Sequence, residues 1–230
     1  MSLFFDSAPQ GPSTRLPCRP CFPMLAATSL TFLKPRLKAA VRPLAARLFA
    51  HGVTANQVTL ASLAGSVGLG GLLHANPSNT ALFALLPLWL AVRTGCAALD
   101  GTLAVEFGQK SRLGGILNEA GDIISDVALF LPLACLAPFT VNAVVFFLIL
   151  AGLSEFAGIL GPRLGSDRRL DGPLGKADRS IVLGILGLAI AIFGGLPQGA
   201  ENLLPLLDCA LIVTIWNRLR FAIGAPAKAT

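Results

Sequence analysis

Carboxylate side chains are concentrated in one segment of an otherwise apolar chain. The 230 residues include only 12 Asp and Glu, and five of these lie between positions 99 and 130: Asp100, Glu106, Glu119, Asp122 and Asp126. Grouped carboxylates repel one another unless protons or cations intervene, and their oxygens suit Mg²⁺, Mn²⁺ or Ca²⁺. One carboxylate of such a group can also take a proton from a hydroxyl. The segment is therefore the first candidate for chemistry.

The spacing of these acids predicts a common helix face. At about 100° per residue, Glu119, Asp122 and Asp126 fall within about 60° of one another, and Asn118 lies on the Asp122 side of that face. Asp100 closes the preceding apolar run, so it is expected at a similar depth. A carboxylate within a membrane span costs about 3 kcal/mol and usually faces a cavity or a partner. Glu106 alone is interpreted as a helix-end residue that reaches water.

The elements that must position these acids are predicted to be membrane-spanning helices. Hydrophobic residues make up 54% of the chain and charged residues 13%, about half the charge of an ordinary soluble domain. Apolar runs long enough to cross a bilayer lie near 54–74, 80–105, 114–137, 140–161, 180–197 and 203–222. The sequence thus predicts an all-α integral membrane protein with six transmembrane helices.

The chain before the first span is predicted to contain two parts. Residues 1–30 lack periodicity and are expected to be a disordered extension. Residues 31–52 alternate basic and apolar side chains at nearly helical spacing, which predicts an amphipathic helix at the membrane surface. An anchor on anionic lipid and a substrate entrance are both open interpretations of its cations. The membrane domain itself is expected to occupy 53–223.

The distribution of positive charge predicts the orientation. None of the 18 Lys and Arg falls in the turns HANPSN, APFTVN and PQGAEN. They gather in the alternate connections and near the termini, which makes that side cytoplasmic. Both termini and the candidate site are therefore expected on the cytoplasmic face of the inner membrane.

Two further groups of residues have a functional and a purely structural interpretation. Gly101, Ala104 and Gly114 lie beside the acids, where small side chains serve either the close approach of a nucleotide or helix packing. The basic stretch before the fifth span offers Lys176, Arg179 and Arg169 as contacts for a phosphorylated alcohol. Topology alone would also make this cytoplasmic loop basic.

The acidic segment resembles the signature of the CDP-alcohol phosphatidyltransferases, D-x2-D-G-x2-A-R-x8-G-x3-D-x3-D. Asp100, Gly101 and Ala104 match D-G-x2-A, and Gly114 and Asp122 follow at the family spacings. The stretch GVTANQVTLAS, at 52–62, is similar to the entry of the family's first helix, where Asn56 and its neighbour Gln57 stand. The stretch GPLGKADRS, at 172–180, is similar to its Gly-Lys element. The resemblance covers nearly all of 34–222.

The resemblance implies a reaction and roles for the residues. A phosphatidyl group would pass from a CDP-linked lipid such as CDP-diacylglycerol to a small polar alcohol, and CMP would leave. Mg²⁺ or Mn²⁺ is the implied cofactor, the membrane and a second copy of the chain are the implied partners, and no nucleic acid is expected. Asp122 is the implied base. The implied metal ligands are Asp100, Asn118, Glu119 and Asp126, and the implied donor-lipid contacts are Gly101, Ala104, Gly114 and the asparagine of TANQVT.

The sequence departs from the signature at three positions, which keeps other functions open. Ala97 and Asn118 replace two family aspartates, and Val105 replaces the arginine. Glu119 and Asp126 share the face of Asp122 and are expected to compensate for the lost carboxylates. The alternatives are a degenerate member that binds CDP-lipid or a partner without turnover, and a solute carrier. Carriers place their sites near the membrane midplane, which argues against the second alternative.

Overall fold

The computed structural model describes residues 33–163 and 172–224, and this part of the chain contains helices and no strands. The all-α prediction is therefore confirmed for it. The α-helices are α1 (Leu33–Ala50), α2 (Ala55–Ala75), α3 (Leu85–Glu106), α4 (Arg112–Phe130), α5 (Val141–Arg163), α6 (Lys176–Phe193) and α7 (Leu203–Gly224). Short 3-10 helices occupy Thr80–Ala84, Leu131–Cys135 and Ala200–Asn202. The predicted extension at 1–30 lies outside the described residues.

Four helical stretches are long and apolar enough to cross a membrane: Ala55–Ala75, Thr80–Glu106, Val141–Leu160 and Ala200–Arg220. The six predicted spans are thus supported at four places within the described chain. Helices α4 and α6 carry more charge, since α4 contains Glu119, Asp122 and Asp126 and α6 contains Lys176 and Arg179. The count of six is not confirmed by length and composition.

Local caps explain where the helices at the candidate site begin. The Thr54 hydroxyl accepts from the backbone N–H of Gln57, and the Gln57 side chain accepts in return from Thr54 N–H, which closes a capping box before α2. Ser111 caps α4 by accepting from the N–H of Gly114 at 2.9 Å. Capping fixes both helix starts independently of the rest of the fold.

The third and fifth predicted spans differ in extent from the observed helices. Helix α4 ends at Phe130 because Pro132 cannot continue its hydrogen-bond ladder, and a 3-10 turn covers the predicted remainder. Helix α6 begins at Lys176, four residues earlier than predicted, and ends at Phe193. The next residue, Gly194, takes the left-handed conformation with φ 73° that ends many helices.

Close helix pairs build the bundle, with α2 packed on α4, α5 on α7, and α3 between α1, α2 and α6. At Gly70 an added Cβ would collide with the Ala128 backbone, and at Gly187 it would press on Leu86. Glycine at these two positions lets neighbouring helices touch backbone to backbone. The main apolar core includes Phe83, Phe130, Phe147, Ile190 and Leu204.

Helix α1 is docked on α3. The Arg42 guanidinium lies 2.9 Å from the Glu106 carboxylate, and the rings of Phe49 and Phe107 are 4.9 Å apart between centroids. Ala45 is fully buried in this contact. The prediction that Glu106 only reaches water was therefore wrong, although an exposed pair of this kind contributes little stability.

Candidate functional site

The predicted site residues lie where α2 and α4 begin and α3 ends. The Asp100 carboxylate, on α3, accepts a hydrogen bond of 2.7 Å from the hydroxyl of Thr59 on α2. It also lies within electrostatic range of Asp122 and Lys176. No Lys or Arg of the described residues forms an ion pair with Asp100. Neutral donors, the Thr59 hydroxyl and the Gly101 backbone N–H, thus hold this carboxylate.

The start of α2 faces the start of α4. An added Cβ at Gly114 would strike the side-chain oxygen of Asn56, so these two predicted donor contacts are neighbours. Gln57 is engaged in the capping box described above. Gln109, in the turn between α3 and α4, accepts from Ala55 N–H at 2.7 Å and fastens this turn to α2.

The small residues of the signature have different surroundings. A Cβ at Gly101 would meet nothing within 4 Å, so helix packing does not account for this glycine. Ala104 packs against the buried cluster of Ala45, Ala55 and Leu103, which gives it a structural role. The surroundings therefore favour the approach of a nucleotide for Gly101, which lies beside open space, and helix packing for Ala104, which lies in a packed contact.

Both carboxylate oxygens of Asp122 face protein cations. Arg93 Nη2 lies 3.2 Å from Oδ1, and Lys176 Nζ contacts Oδ2. Arg93 comes from α3 and Lys176 from the first residue of α6, so Asp122 joins three helices. The Asp122 and Lys176 side chains keep 19% and 35% of their exposure, whereas Arg93 keeps 8%.

Asp126, one turn further along α4, is the centre of a buried network. Its Oδ1 lies 3.2 Å from Arg93 Nη1, and its Oδ2 accepts from Arg179 Nη2 at 3.0 Å. Arg179 also binds Glu155 of α5 at 2.9 Å, and Glu155 lies 3.8 Å from Arg218 of α7. Isolated buried charges would be strongly unfavourable, and this alternation compensates each of them.

The segment before α6 is fastened so that the helix presents its cations inward. Gly172 has φ 142°, and an added Cβ would collide with Thr214 of α7. Leu174 N–H donates to the Thr214 hydroxyl at 3.2 Å, and Gly175 N–H donates to Asp178 at 2.8 Å. These contacts fix the start of α6 against α7 and direct Arg179 into the bundle.

The residues present do not fit a metal site of the predicted composition. No group of three or more Asp, Glu, His or Cys side chains that could hold an ion occurs among the described residues. Asp126 was expected to compensate for the missing aspartates, but Arg93 and Arg179 take both of its oxygens. Asn118 and Glu119 are half-buried, and Glu119 already has a partner. The carboxylates are paired with arginine and lysine instead.

Sequence reasoning found the acids but missed most of their partners. Arg179, predicted to contact an acceptor, is 2% exposed and pairs with Asp126. Glu155, an acid within α5, pairs with Arg179 inside the bundle. Arg218, near the end of α7, is buried and lies 3.8 Å from Glu155, a contact that the sequence pattern does not indicate. The third predicted acceptor contact, Arg169, lies outside the described residues.

Comparison with curated proteins gives a strong relative of the same extent. The chain is 42% identical over 196 residues to the inner membrane protein YnbA of Escherichia coli, which covers 85% of this chain and 97% of YnbA. It is 28% identical over 195 residues to the phosphatidylinositol phosphate synthase of Corynebacterium glutamicum, over 81% of this chain and 85% of that enzyme. No family model matches the chain.

Solved structures agree with the sequence comparison. The Mycobacterium tuberculosis phosphatidylinositol phosphate synthase PgsA1 in complex with manganese and citrate has a TM-score of 0.66 and 26% identity, over 80% of this chain and 89% of that one. The same enzyme with CDP-DAG bound has a TM-score of 0.63 and 25% identity, over 80% and 94%. The chain therefore belongs to the same family as YnbA, and it is a homologue in sequence and fold of phosphatidylinositol phosphate synthase, a CDP-alcohol phosphatidyltransferase.

Proposed function

We propose that this protein transfers a phosphatidyl group from a CDP-linked lipid, such as CDP-diacylglycerol, to an alcohol and releases CMP. The observation that carries the proposal is the placement of Asp100 and Asp122, the two retained signature aspartates, within electrostatic range of each other and of Lys176. Open space beside Gly101 supports the approach of a substrate to the same place. The homologous enzyme of M. tuberculosis is known with CDP-DAG bound.

The proposed reaction is a direct displacement at phosphorus. Asp122 takes the proton of the acceptor hydroxyl, and the acceptor oxygen attacks the lipid-side phosphorus. The bond from that phosphorus to the bridging oxygen breaks, and CMP leaves with the electron pair. Asp122 requires a free carboxylate oxygen for this step, so one of its two cations must first move. Gly101, Gly114 and Asn56 are assigned to the donor lipid, while Ala104 supports the packing beneath them.

We assign the reaction to the cytoplasmic face of the inner membrane, with six spans. Helices α4 and α6 then cross the bilayer as well, because their charges are paired with one another inside the bundle and need not face lipid. Lys176 is a candidate for contact with a substrate phosphate, and Arg169 remains a candidate for the phosphate of the acceptor. Arg179 is assigned a positioning role, since its guanidinium lies between Asp126 and Glu155.

The metal and the homodimer stay predictions. Manganese in the related M. tuberculosis structure makes Mn²⁺ or Mg²⁺ the candidate cofactor. Arg93 and Arg179 occupy both oxygens of Asp126, so the ligand set implied by the resemblance, with Asp100, Asn118 and Glu119 as its other members, is incomplete in the described arrangement.

A second function, binding of CDP-lipid without turnover, is favoured by one specific observation. Both oxygens of the proposed base Asp122 are engaged by cations, and the signature aspartates at Ala97 and Asn118 are absent. A protein that kept this arrangement throughout would bind a nucleotide lipid but would not deprotonate an alcohol.

The two functions separate in one assay. Purified protein in detergent is incubated with CDP-diacylglycerol, Mn²⁺ or Mg²⁺, and a pool of polar alcohols and their phosphates, and CMP is measured. Phosphatidyltransfer predicts acceptor-dependent CMP, and splitting the pool identifies the alcohol. Asp122→Asn should abolish it, while Glu201→Gln, an exposed acid at the other end of the bundle, should not. Folded protein that binds CDP and releases no CMP would establish the second function.

A further inference from the structure

The carboxylates of the site are paired with cations of the protein itself. Three of them, namely Asp122, Asp126 and Glu155, form ion pairs with four cations, namely Arg93, Lys176, Arg179 and Arg218. A divalent ion would be the largest local charge and would need carboxylates of its own. The signature carboxylates absent at positions 97 and 118 are those that would have supplied this negative charge.

The two cations on Asp122 differ in their freedom to move. Arg93 is buried and is also fastened to Asp126, so that its guanidinium bridges two acids. The Lys176 side chain keeps 35% of its exposure, and its ammonium is paired with Asp122 alone among the described residues. An ammonium on a flexible four-carbon stem can change partners at low cost, whereas a forked guanidinium between two carboxylates cannot. Lys176 is thus the cation that can leave Asp122 and pair with an incoming anion.

We propose that Lys176 binds the phosphate of the CDP-linked lipid in exchange for Asp122, so that nucleotide binding by this protein does not require a divalent ion. The inference rests on the proposed function and names the group that recognises its donor. The ammonium keeps its protons in this exchange, and no covalent bond forms or breaks. Asp122 Oδ2 becomes free for the acceptor hydroxyl, while Arg93 continues to hold Oδ1 and thereby the orientation of the carboxylate.

The exchange also resolves the conflict between binding and turnover. While both cations are in place, neither oxygen of Asp122 is open to the acceptor hydroxyl. Removal of one cation by the donor phosphate opens Oδ2 only when the donor is present. A phosphate on the acceptor has the same chemistry as the donor pyrophosphate, so the test must separate these two sources.

The test is equilibrium binding of CDP to the purified full-length protein in detergent, measured by calorimetry in EDTA and again in Mn²⁺. We expect comparable affinities in the two buffers. Lys176→Gln should weaken CDP binding about tenfold in both, as for the loss of one charge-assisted hydrogen bond. Lys176→Arg keeps the charge and should restore most of the affinity. Arg220→Gln removes an exposed cation near the end of α7 and should leave the affinity unchanged.

Each contrary result has a distinct meaning. CDP binding that needs Mn²⁺ and is insensitive to Lys176→Gln overturns the inference and leaves the proposed function standing. Folded wild-type protein that binds no CDP in either buffer overturns both. If Lys176→Gln weakens binding of glycerol 3-phosphate and not of CDP, the lysine serves the acceptor, and the donor assignment is overturned. Should Lys176→Gln fail to fold, the EDTA comparison and Lys176→Arg still decide.

Discussion

Asp100 and Asp126 lie in the same polar end of the bundle but in opposite electrostatic situations. Asp100 has only neutral donors among the described residues, the Thr59 hydroxyl and the Gly101 backbone N–H, and no described ion pair. Asp126 is buried, and guanidinium groups from α3 and α6 occupy both of its oxygens. Asp122 lies between these extremes, with one fixed cation and one exchangeable cation. The number of charged partners therefore separates carboxylates available to a ligand from those that hold the helices together.

This comparison changes the meaning of the acidic face on α4. By spacing alone, Glu119, Asp122 and Asp126 are equivalent, because they share one helix face. Their partners in the structure make them different. Arg93 links the proposed base Asp122 to the buried network around Asp126, because it binds the two carboxylates with different nitrogens. The buried network can therefore position the proposed base without contacting substrate. Four variants test this division of roles, from the largest expected change in stability to the smallest.

Asp126→Asn should have the largest effect. It leaves Arg93 and Arg179 facing an uncharged amide inside the bundle, and breaking a buried pair in this way costs about 3–5 kcal/mol. Thermal unfolding in detergent should show a large decrease in midpoint. An Asp126→Asn protein with wild-type stability would contradict the structural role of the network.

Glu155→Gln should cost less, about 1–3 kcal/mol. Glu155 has one close ion pair, with Arg179 at 2.9 Å, and a second at 3.8 Å from Arg218, whereas Asp126 has two close guanidinium partners. Arg218 also keeps its bond to the Ser154 carbonyl. The unfolding midpoint should fall between those of wild type and Asp126→Asn. A decrease equal to that of Asp126→Asn would place the centre of the network at α5 instead of α4.

Thr59→Val should cost about 1 kcal/mol, since it removes one hydroxyl donor and keeps the shape of the side chain. Its effect on CDP binding should exceed its effect on unfolding, because Asp100 loses the donor that orients it. Parallel calorimetry and thermal unfolding measure both. Unchanged CDP affinity would remove Asp100 from the proposed donor site.

Asp208→Asn should have the smallest effect, within about 0.5 kcal/mol of wild type or slightly stabilising. Its Oδ1 is buried without a hydrogen-bond partner among the described residues, so the charge gains nothing there. Asp208→Asn is the same acid-to-amide change as Asp126→Asn and therefore serves as the matched control for Asp126→Asn in thermal unfolding. A large loss of stability would show that partner number does not govern these acids.

The sequence predicted the helices well where one local signal decides them. Apolar length located α2, α3, α5 and α7, and the capping residues Thr54 and Ser111 explain two of the starts. The ends of α4 and α6 were missed, since Pro132 and Gly194 act over a single residue within long apolar runs. A single residue of this kind barely changes the hydropathy pattern, but it determines where the helix ends.

The sequence predicted the acids of the site but not the cations with which they pair. Asp100 and Asp122 were found because their spacing is local to two neighbouring helices. The partners of Asp126 are Arg93 and Arg179, which lie 33 and 53 positions away in the sequence. Both contacts depend on how α3 and α6 pack. In the sequence, Arg179 and Lys176 belong to a basic stretch before the predicted fifth span, where topology already accounts for positive charge. Only the packed bundle distinguishes an inward arginine from a cytoplasmic one.

The most direct test of the central claim follows the phosphorus atom that the alcohol attacks. CDP-diacylglycerol labelled at its lipid-side phosphorus is incubated with the protein and the alcohol pool, and the labelled lipids are separated. Phosphatidyltransfer predicts label in a new phosphatidyl-alcohol with unlabelled CMP, and Asp122→Asn should lower this product by about 100-fold or more. Label that remains in CDP-diacylglycerol or appears as phosphatidate, with equal amounts from the wild type and Asp122→Asn, would contradict the account.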